Sequence, residues 1–344
     1  MIKQHLGRIV VAFALVVLAA GIAWPARAQE TAAPPPIPFA DWLAGLRQEA
    51  IARGIGEKTL DAALDGVEPV PVVVERDRTQ AEQTLTIDDY LKQHVSRKTV
   101  KTARQMAWRH RVILRKVAAR YGVPANVIVA VWGIESNFGR FSGVRPTIAS
   151  LVTLSYDNRR AALFREELLS ALQALDRGDI ELAKMKGSWA GAMGQPQFMP
   201  SSYLKYAEDF DRDGVRDIWG SLADVFASIA NFLKQNGWTT GERWGVAVSL
   251  PKQGAGEIEQ AAPLRETGCQ ALKEMTEGLT LARWRALGVR PLRRAGLPKP
   301  STVASLVRAG SRDFLVFNNY AVLLQYNCAT SYALAVGTLA DSVR

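Results

Sequence analysis

Glu135 lies in the run Gly133-Ile134-Glu135-Ser136-Asn137-Phe138-Gly139. On a helix it shares a face with Ile128, Val131, Trp132 and Phe138, at offsets of three, four and seven. A carboxyl among apolar and aromatic groups is desolvated, which favours its protonated form. That is the state an acid needs to protonate a glycosidic oxygen near neutral pH. A single glutamate at a helix end otherwise does no more than reach back to water, so this run needs company.

A second run, from Ser188 through Gly191, Gly194, Gln197, Phe198, Pro200 and Ser201-Ser202 to Tyr203, supplies it. Its glycines let backbone approach a ligand closely, and Gln197 offers both a donor and an acceptor to sugar hydroxyls or N-acetyl groups. The plainer reading is a tight turn before a helix capped by Ser201 or Ser202. A third run, Asp209-Phe210-Asp211-Arg212-Asp213-Gly214-Val215, has oxygen ligands at alternate positions and a glycine at the sharp turn, the first half of an EF-hand loop. Gly220 stands where the closing glutamate belongs, so Asp224 would have to close a lengthened loop. Otherwise the run is an acidic turn in solvent.

The elements that hold these runs are mostly helical. Apolar spacing predicts helices over Phe39–Leu64, broken at Gly54 and Gly56, and over Arg104–Tyr121, Ala125–Phe138, Ala161–Leu175, Val225–Leu233 and Tyr332–Val343. Pro124 marks a fresh helix start, and Val70–Val74 reads as a short extended patch. Residues 246–310 change character, with a strand-like start and breaks at Gly254, Gly256, Pro263, Pro291, Pro298 and Pro300, and read as a small mixed α/β lobe. The expected organisation is a 39–245 helical region, the 246–310 lobe and a 311–344 segment returning to the helical body. The fold class is therefore α+β, mainly α.

The chain has 344 residues, 48% of them hydrophobic and 22% charged, so it can bury a sizeable core. Three His and two Cys exclude a zinc finger. Lys3 and Arg8, an apolar run from Ile9 to Ala23, and Ala26-Arg27-Ala28 read as a signal peptide over 1–28, cleaved after Ala28. No Cys follows the apolar run, so a lipoprotein anchor is not expected. A Pro-rich lead-in occupies 29–38. Cleavage removes three cations and no acid, taking the net charge from +10 to +7. Such a chain suits an anionic envelope polymer or a membrane surface, or is merely soluble. No arginine-rich helix or aromatic-interleaved basic stripe stands out for nucleic acid. In an oxidising compartment the pair Cys269 and Cys328 reads as a structural disulfide rather than a catalytic dyad.

Glu-Ser-x-Phe-Gly, then Gly-Ala-Met-Gly-x-x-Gln-Phe-Met-Pro-Ser-Ser-Tyr, then Asn319-Tyr320, Tyr326-Asn327 and Ser331-Tyr332-Ala333 together resemble the B-type lytic murein transglycosylases. The likeness runs from about Phe39 to Val343. It implies a lysozyme-like helical core that cleaves the β-1,4 bond between N-acetylmuramic acid and N-acetylglucosamine in peptidoglycan, leaving a 1,6-anhydromuramyl end. It further implies Glu135 as the one acid and base, and Ser136, Ser188, Gln197, Phe198, Tyr326 and Asn327 as substrate-binding residues. A structural calcium on Asp209, Asp211, Asp213, the Val215 carbonyl and Asp224 would accompany it, with no cofactor required for catalysis. Phe232 departs from the likeness, since the family can carry Tyr there. The expected partner is the glycan strand, met in the periplasm by a monomer without a permanent anchor. A hydrolytic muramidase on the same scaffold and a non-catalytic peptidoglycan-binding protein are the rival expectations.

Overall fold

Helix α1 (Phe39–Ala52) and helix α2 (Glu57–Leu64) are the two pieces expected on either side of Gly54, whose φ of 84° ends the first. The structure, a computed structural model, describes residues 37–79, 85–157, 159–253, 255–292 and 298–343. The signal-peptide reading and most of the lead-in therefore lie outside the described residues. Helix α3 (Pro71–Arg78) is a correction: of the Val70–Val74 patch only Val70 is extended and the rest is helical, because Pro71 occupies the first turn, where its missing N–H costs nothing.

Helix α4 (Ile87–His94) and helix α5 (Arg97–Arg109) start at Thr86 and Ser96, whose hydroxyls accept from the amides of Asp89 and Thr99. The single helix expected over Arg104–Tyr121 is two. Helix α6 (Arg111–Tyr121) begins after His110, whose ring turns inward, edge-on to Trp132 and tilted against Phe226, 5.9 Å from each. Arg97, Lys101, Arg104 and Trp108 fall on one exposed face of α5, a basic stripe carrying an aromatic that the charge reading had not found. Helix α7 (Ala125–Ser136) then turns inward through a bend of 110° after Pro124.

Strand β1 (Arg145–Pro146) leads into helix α8 (Thr147–Tyr156), helix α9 (Ala161–Asp176) follows, and strand β2 (Lys186–Gly187) pairs back on β1 antiparallel. The acidic loop lies between helix α10 (Pro200–Tyr206) and helix α11 (Leu222–Gln235). Ser201 and Ser202 do not cap α10. Pro200 starts it, and Ser201 bonds Glu167 through both its amide and its hydroxyl.

The mixed lobe is an antiparallel five-stranded sheet. Its strands are β3 (Gly245–Ser249), β4 (Leu279–Thr280), β5 (Arg290–Pro291), β6 (Val303–Ala309) and β7 (Arg312–Val316), in the order β4-β6-β7-β3-β5. Helices α12 (Ala255–Ala261), α13 (Gln270–Lys273) and α14 (Leu281–Ala286) lie between these strands. Because β7 belongs to the sheet, the lobe reaches past the boundary expected at 310. It has its own core around Val246, Val248, Ile258, Trp284, Leu306 and Leu315. Yet from Phe39 onward the chain forms one compact unit, lobe included. Helices α15 (Asn318–Tyr326) and α16 (Thr330–Ser342) return to the helical body, where α16 packs along α7.

Candidate active site

Glu135 stands half-buried on the last turn of α7. Val127–Gly133 before it is buried on every side, so the helix is fixed by packing rather than by caps. Asn137 at φ 49° and Phe138 at φ 60° end it in left-handed geometry, which folds the Phe138 ring back over Gly133. A Cβ on Gly133 would come within 2.6 Å of that ring. Small size, not loop freedom, is what this glycine supplies.

The two motifs meet through a residue the sequence reading passed over. Gln195 is buried; its Oε1 accepts from Trp132 Nε1 at 2.7 Å and its Nε2 donates to the Trp219 carbonyl at 2.7 Å. Its amide also abuts Gly139, where φ is 79° and an added Cβ would lie 2.4 Å from Oε1. The glycine-rich loop is thereby locked to the end of α7.

Two phenols complete the group. Tyr332 on α16 donates to Glu135 Oε1 at 2.6 Å, and its ring stacks on Tyr326 with centroids 6.2 Å apart. Tyr326 at the end of α15 donates in turn to the Pro196 carbonyl at 2.7 Å. Burial holds both phenols protonated well above their ordinary pKa, and the Glu135 charge adds to this. Both therefore remain donors throughout the neutral range. The Tyr332 bond fixes how the carboxyl is turned.

The remaining expected residues divide. Gln197 is half-buried at φ 54°, with Nε2 donating to the Gly194 carbonyl at 2.8 Å, and Asn327 is exposed beside Tyr326. Ser188 Oγ accepts from the Ala190 and Ala192 amides and so organises its own turn. Ser136 and Phe198 are corrections. Ser136 is 0% exposed, donating to the Trp132 carbonyl and accepting from the Gly139 amide, so it is buried and braces the helix end rather than lining an open surface. Phe198 is 2% exposed and packs against Phe232 and Tyr326, supporting the phenol from behind. Phe232 completes that wedge, 4.6 Å from Tyr326 and 4.7 Å from Tyr206.

In the acidic loop, Asp209, Asp211 and Asp213 each place a carboxylate oxygen within 4.8 Å of the others, the spacing of a hard-cation site. Asp224 holds a different position from the one the sequence reading gave it. It is 0% exposed and lies outside that group, accepting from the Phe210 amide at 2.7 Å and the Asp217 amide at 2.9 Å. Burial pushes its carboxyl up to about 6, with those amides opposing the rise. Asp224 pins the loop's two limbs to α11. Cys269 and Cys328 are disulfide-bonded, their Cα atoms 6.5 Å apart.

Residues 38–341 match the family described as "Transglycosylase SLT domain". SltB3 from Pseudomonas aeruginosa, solved in complex with NAG-anhNAM-pentapeptide, is 41% identical with a TM-score of 0.79, over 89% of this chain and 79% of that one. The Escherichia coli K12 membrane-bound lytic murein transglycosylase B is 36% identical over 226 residues, 65% of this chain. That alignment spans 58% of the relative's length. The Escherichia coli lytic transglycosylase Slt35, solved in complex with calcium, is 27% identical with a TM-score of 0.71, over 89% and 92% of the two chains.

Proposed function

The chain belongs to the transglycosylase SLT domain family, and from that premise we propose that it is an exported lytic transglycosylase of peptidoglycan. The observation that carries the reading is the Glu135 carboxyl, half-buried at a helix end and turned by Tyr332 beside the Tyr326–Pro196 wall. Most glycosidases that use water employ a second carboxylate, as base or as nucleophile. Intramolecular attack needs only one group that gives a proton and then takes one.

Glu135 donates its proton to the glycosidic oxygen as the bond from the muramyl anomeric carbon breaks, and N-acetylglucosamine leaves with a free 4-hydroxyl. The muramyl 2-acetamido oxygen shields the positive anomeric carbon. The Glu135 carboxylate then takes the proton of the muramyl 6-hydroxyl while that oxygen bonds to the anomeric carbon. The acid is restored, no water is consumed, and the product ends in a 1,6-anhydro ring. Mass spectrometry of fragments released from purified sacculi tests this: anhydro ends support it, whereas reducing muramic acid ends make the protein a hydrolase.

Tyr332 acts through Glu135. A hydrogen bond to a charged group is worth about 1.5–3 kcal/mol. Tyr332→Phe should therefore lower turnover roughly tenfold to a hundredfold, with little change in sacculus binding or melting temperature. An unchanged turnover removes Tyr332 from the site.

Calcium fits the loop as a structural ion on Asp209, Asp211, Asp213 and the Val215 carbonyl, away from Glu135. An ion that binds only the folded state stabilises it by about 2.7 kcal/mol at a hundred times Kd. Calcium should raise the melting temperature over chelator, and Asp213→Ala should abolish the difference. Equal melting temperatures in calcium and chelator would make the loop an acidic turn.

A further inference from the structure

The consecutive helices α5 and α6 carry an unbalanced charge. Residues 97–120 hold nine Lys or Arg and no Asp or Glu. Among the described residues, Arg120 alone of the nine has an ion-pair partner, Glu208 at 3.7 Å. Arg97, Lys101 and Arg104 recur at offsets of four and three and lead to Trp108 four residues on, so they form a straight row on α5, about 16 Å long at the helical rise. All four are exposed.

At the corner the row becomes partly apolar. Trp108 is 70% exposed and Val112, next to it across the break, 54%. The Arg111 guanidinium covers one face of the indole, 4.8 Å from its centroid, and Arg115 continues the same face of α6, donating to the Arg111 carbonyl. An exposed indole with an aliphatic neighbour, rimmed by long cationic side chains, has the composition that settles at a membrane–water interface. There the ring and the valine enter the headgroup region while the cations meet lipid phosphates. A purely ionic polymer would gain nothing from Val112.

We propose that the α5–α6 face is a peripheral docking surface for an anionic phospholipid leaflet, holding the enzyme against the membrane that borders the wall. This rests on the export reading but not on the chemistry at Glu135. No single described helix is long and apolar enough to cross a membrane. Each cation near such a surface contributes roughly fivefold to partitioning, and salt weakens it.

The full mature chain would be cosedimented with vesicles containing phosphatidylglycerol and with vesicles of phosphatidylcholine alone, at low and high salt. The expected result is retention on the anionic vesicles alone, lost as salt rises. Arg111→Glu with Arg115→Glu should weaken it by more than roughly 25-fold, and Trp108→Ser by about tenfold. Arg283→Glu with Arg285→Glu, the same charge change on the lobe, should leave most of it. Muropeptide release from lipid-free sacculi should stay at wild-type rate in all three variants, showing that they fold. Equal retention on both vesicle types would overturn the proposal. So would an equal loss in the lobe variant, which makes net charge the cause. Retention on sacculi or DNA through these same residues, with none on vesicles, would overturn it in favour of a polymer.

Discussion

Glu135→Gln protein should bind sacculi and release no anhydromuropeptides. The substitution keeps the shape of the side chain and an oxygen that can accept from Tyr332 Oη, which lies 2.6 Å from it in the parent. What it removes is the transferable proton, and with it the carboxylate that must later accept one. A positioned acid or base commonly contributes about 10²–10⁴ in rate. On the proposed mechanism one group serves both half-reactions, so the loss should reach or pass the upper end of that range. Glu135→Asp is the informative companion: it retains the proton but withdraws it by one methylene from Tyr332 and the bond. Binding that survives in both variants shows an intact cleft. Near-wild-type release by Glu135→Gln would place the acid elsewhere.

Glu135 was legible as a candidate acid because the apolar run before it and the Ser-Asn-Phe-Gly run after it are local. The structure ends α7 at Ser136 and folds the Phe138 ring back over Gly133, so the apolar face expected around Glu135 stops one residue after it. Tyr332 was not legible in that way. It follows Glu135 by 197 residues and reaches it only because α16 packs along α7. Nearness in sequence misled in the opposite direction. Ser136 adjoins Glu135, but one step along a helix turns about 100°, enough to point its hydroxyl into the core. Phe198 shares a motif with Gln197, yet the left-handed backbone at Gln197 sends the two side chains different ways. Gln195 carried a signal that went unused: a polar residue in a glycine-rich loop beside a helix crowded with aromatics, one of them an indole needing an acceptor.

The same contrast runs through the fold. Gly54, Gly122 and Pro124 set helix limits by their own backbone preferences, and those limits were legible. The break at His110 has no such residue. It is imposed from a distance by the ring's seat beside Trp132 and Phe226. Helix α8 gave no amphipathic signal because eight of its ten residues are buried, leaving no polar face to set a period. The β7 strand fell outside the expected lobe because the boundary was set at residue 310, and Gly310 is the turn of the β6–β7 hairpin rather than the end of the sheet.

Replacing Cys269 and Cys328 together by serine should cost about 4 kcal/mol, the chain-entropy value for a loop closed across 59 positions. In a chain of this size that lowers the melting temperature by roughly 5–10 °C. The consequence for activity follows from where the bridge lands. Cys269 leads α13 and Cys328 lies between α15 and α16, two residues past Tyr326. Near the bridge, Thr330 donates to Glu274 at 2.5 Å, a second tie between the same two segments. The lobe therefore braces the corner that aims both phenols at the site. Without the bridge, that corner should loosen before the helical body melts. Release of muropeptides should then fall on warming at temperatures where far-ultraviolet circular dichroism is still native, whereas the parent loses both together. Two free thiols titrated in the denatured, unreduced parent would remove the bridge. Coincident loss of activity and helicity in the double serine protein would leave it a staple of the whole fold, with no special hold on Tyr326 and Tyr332.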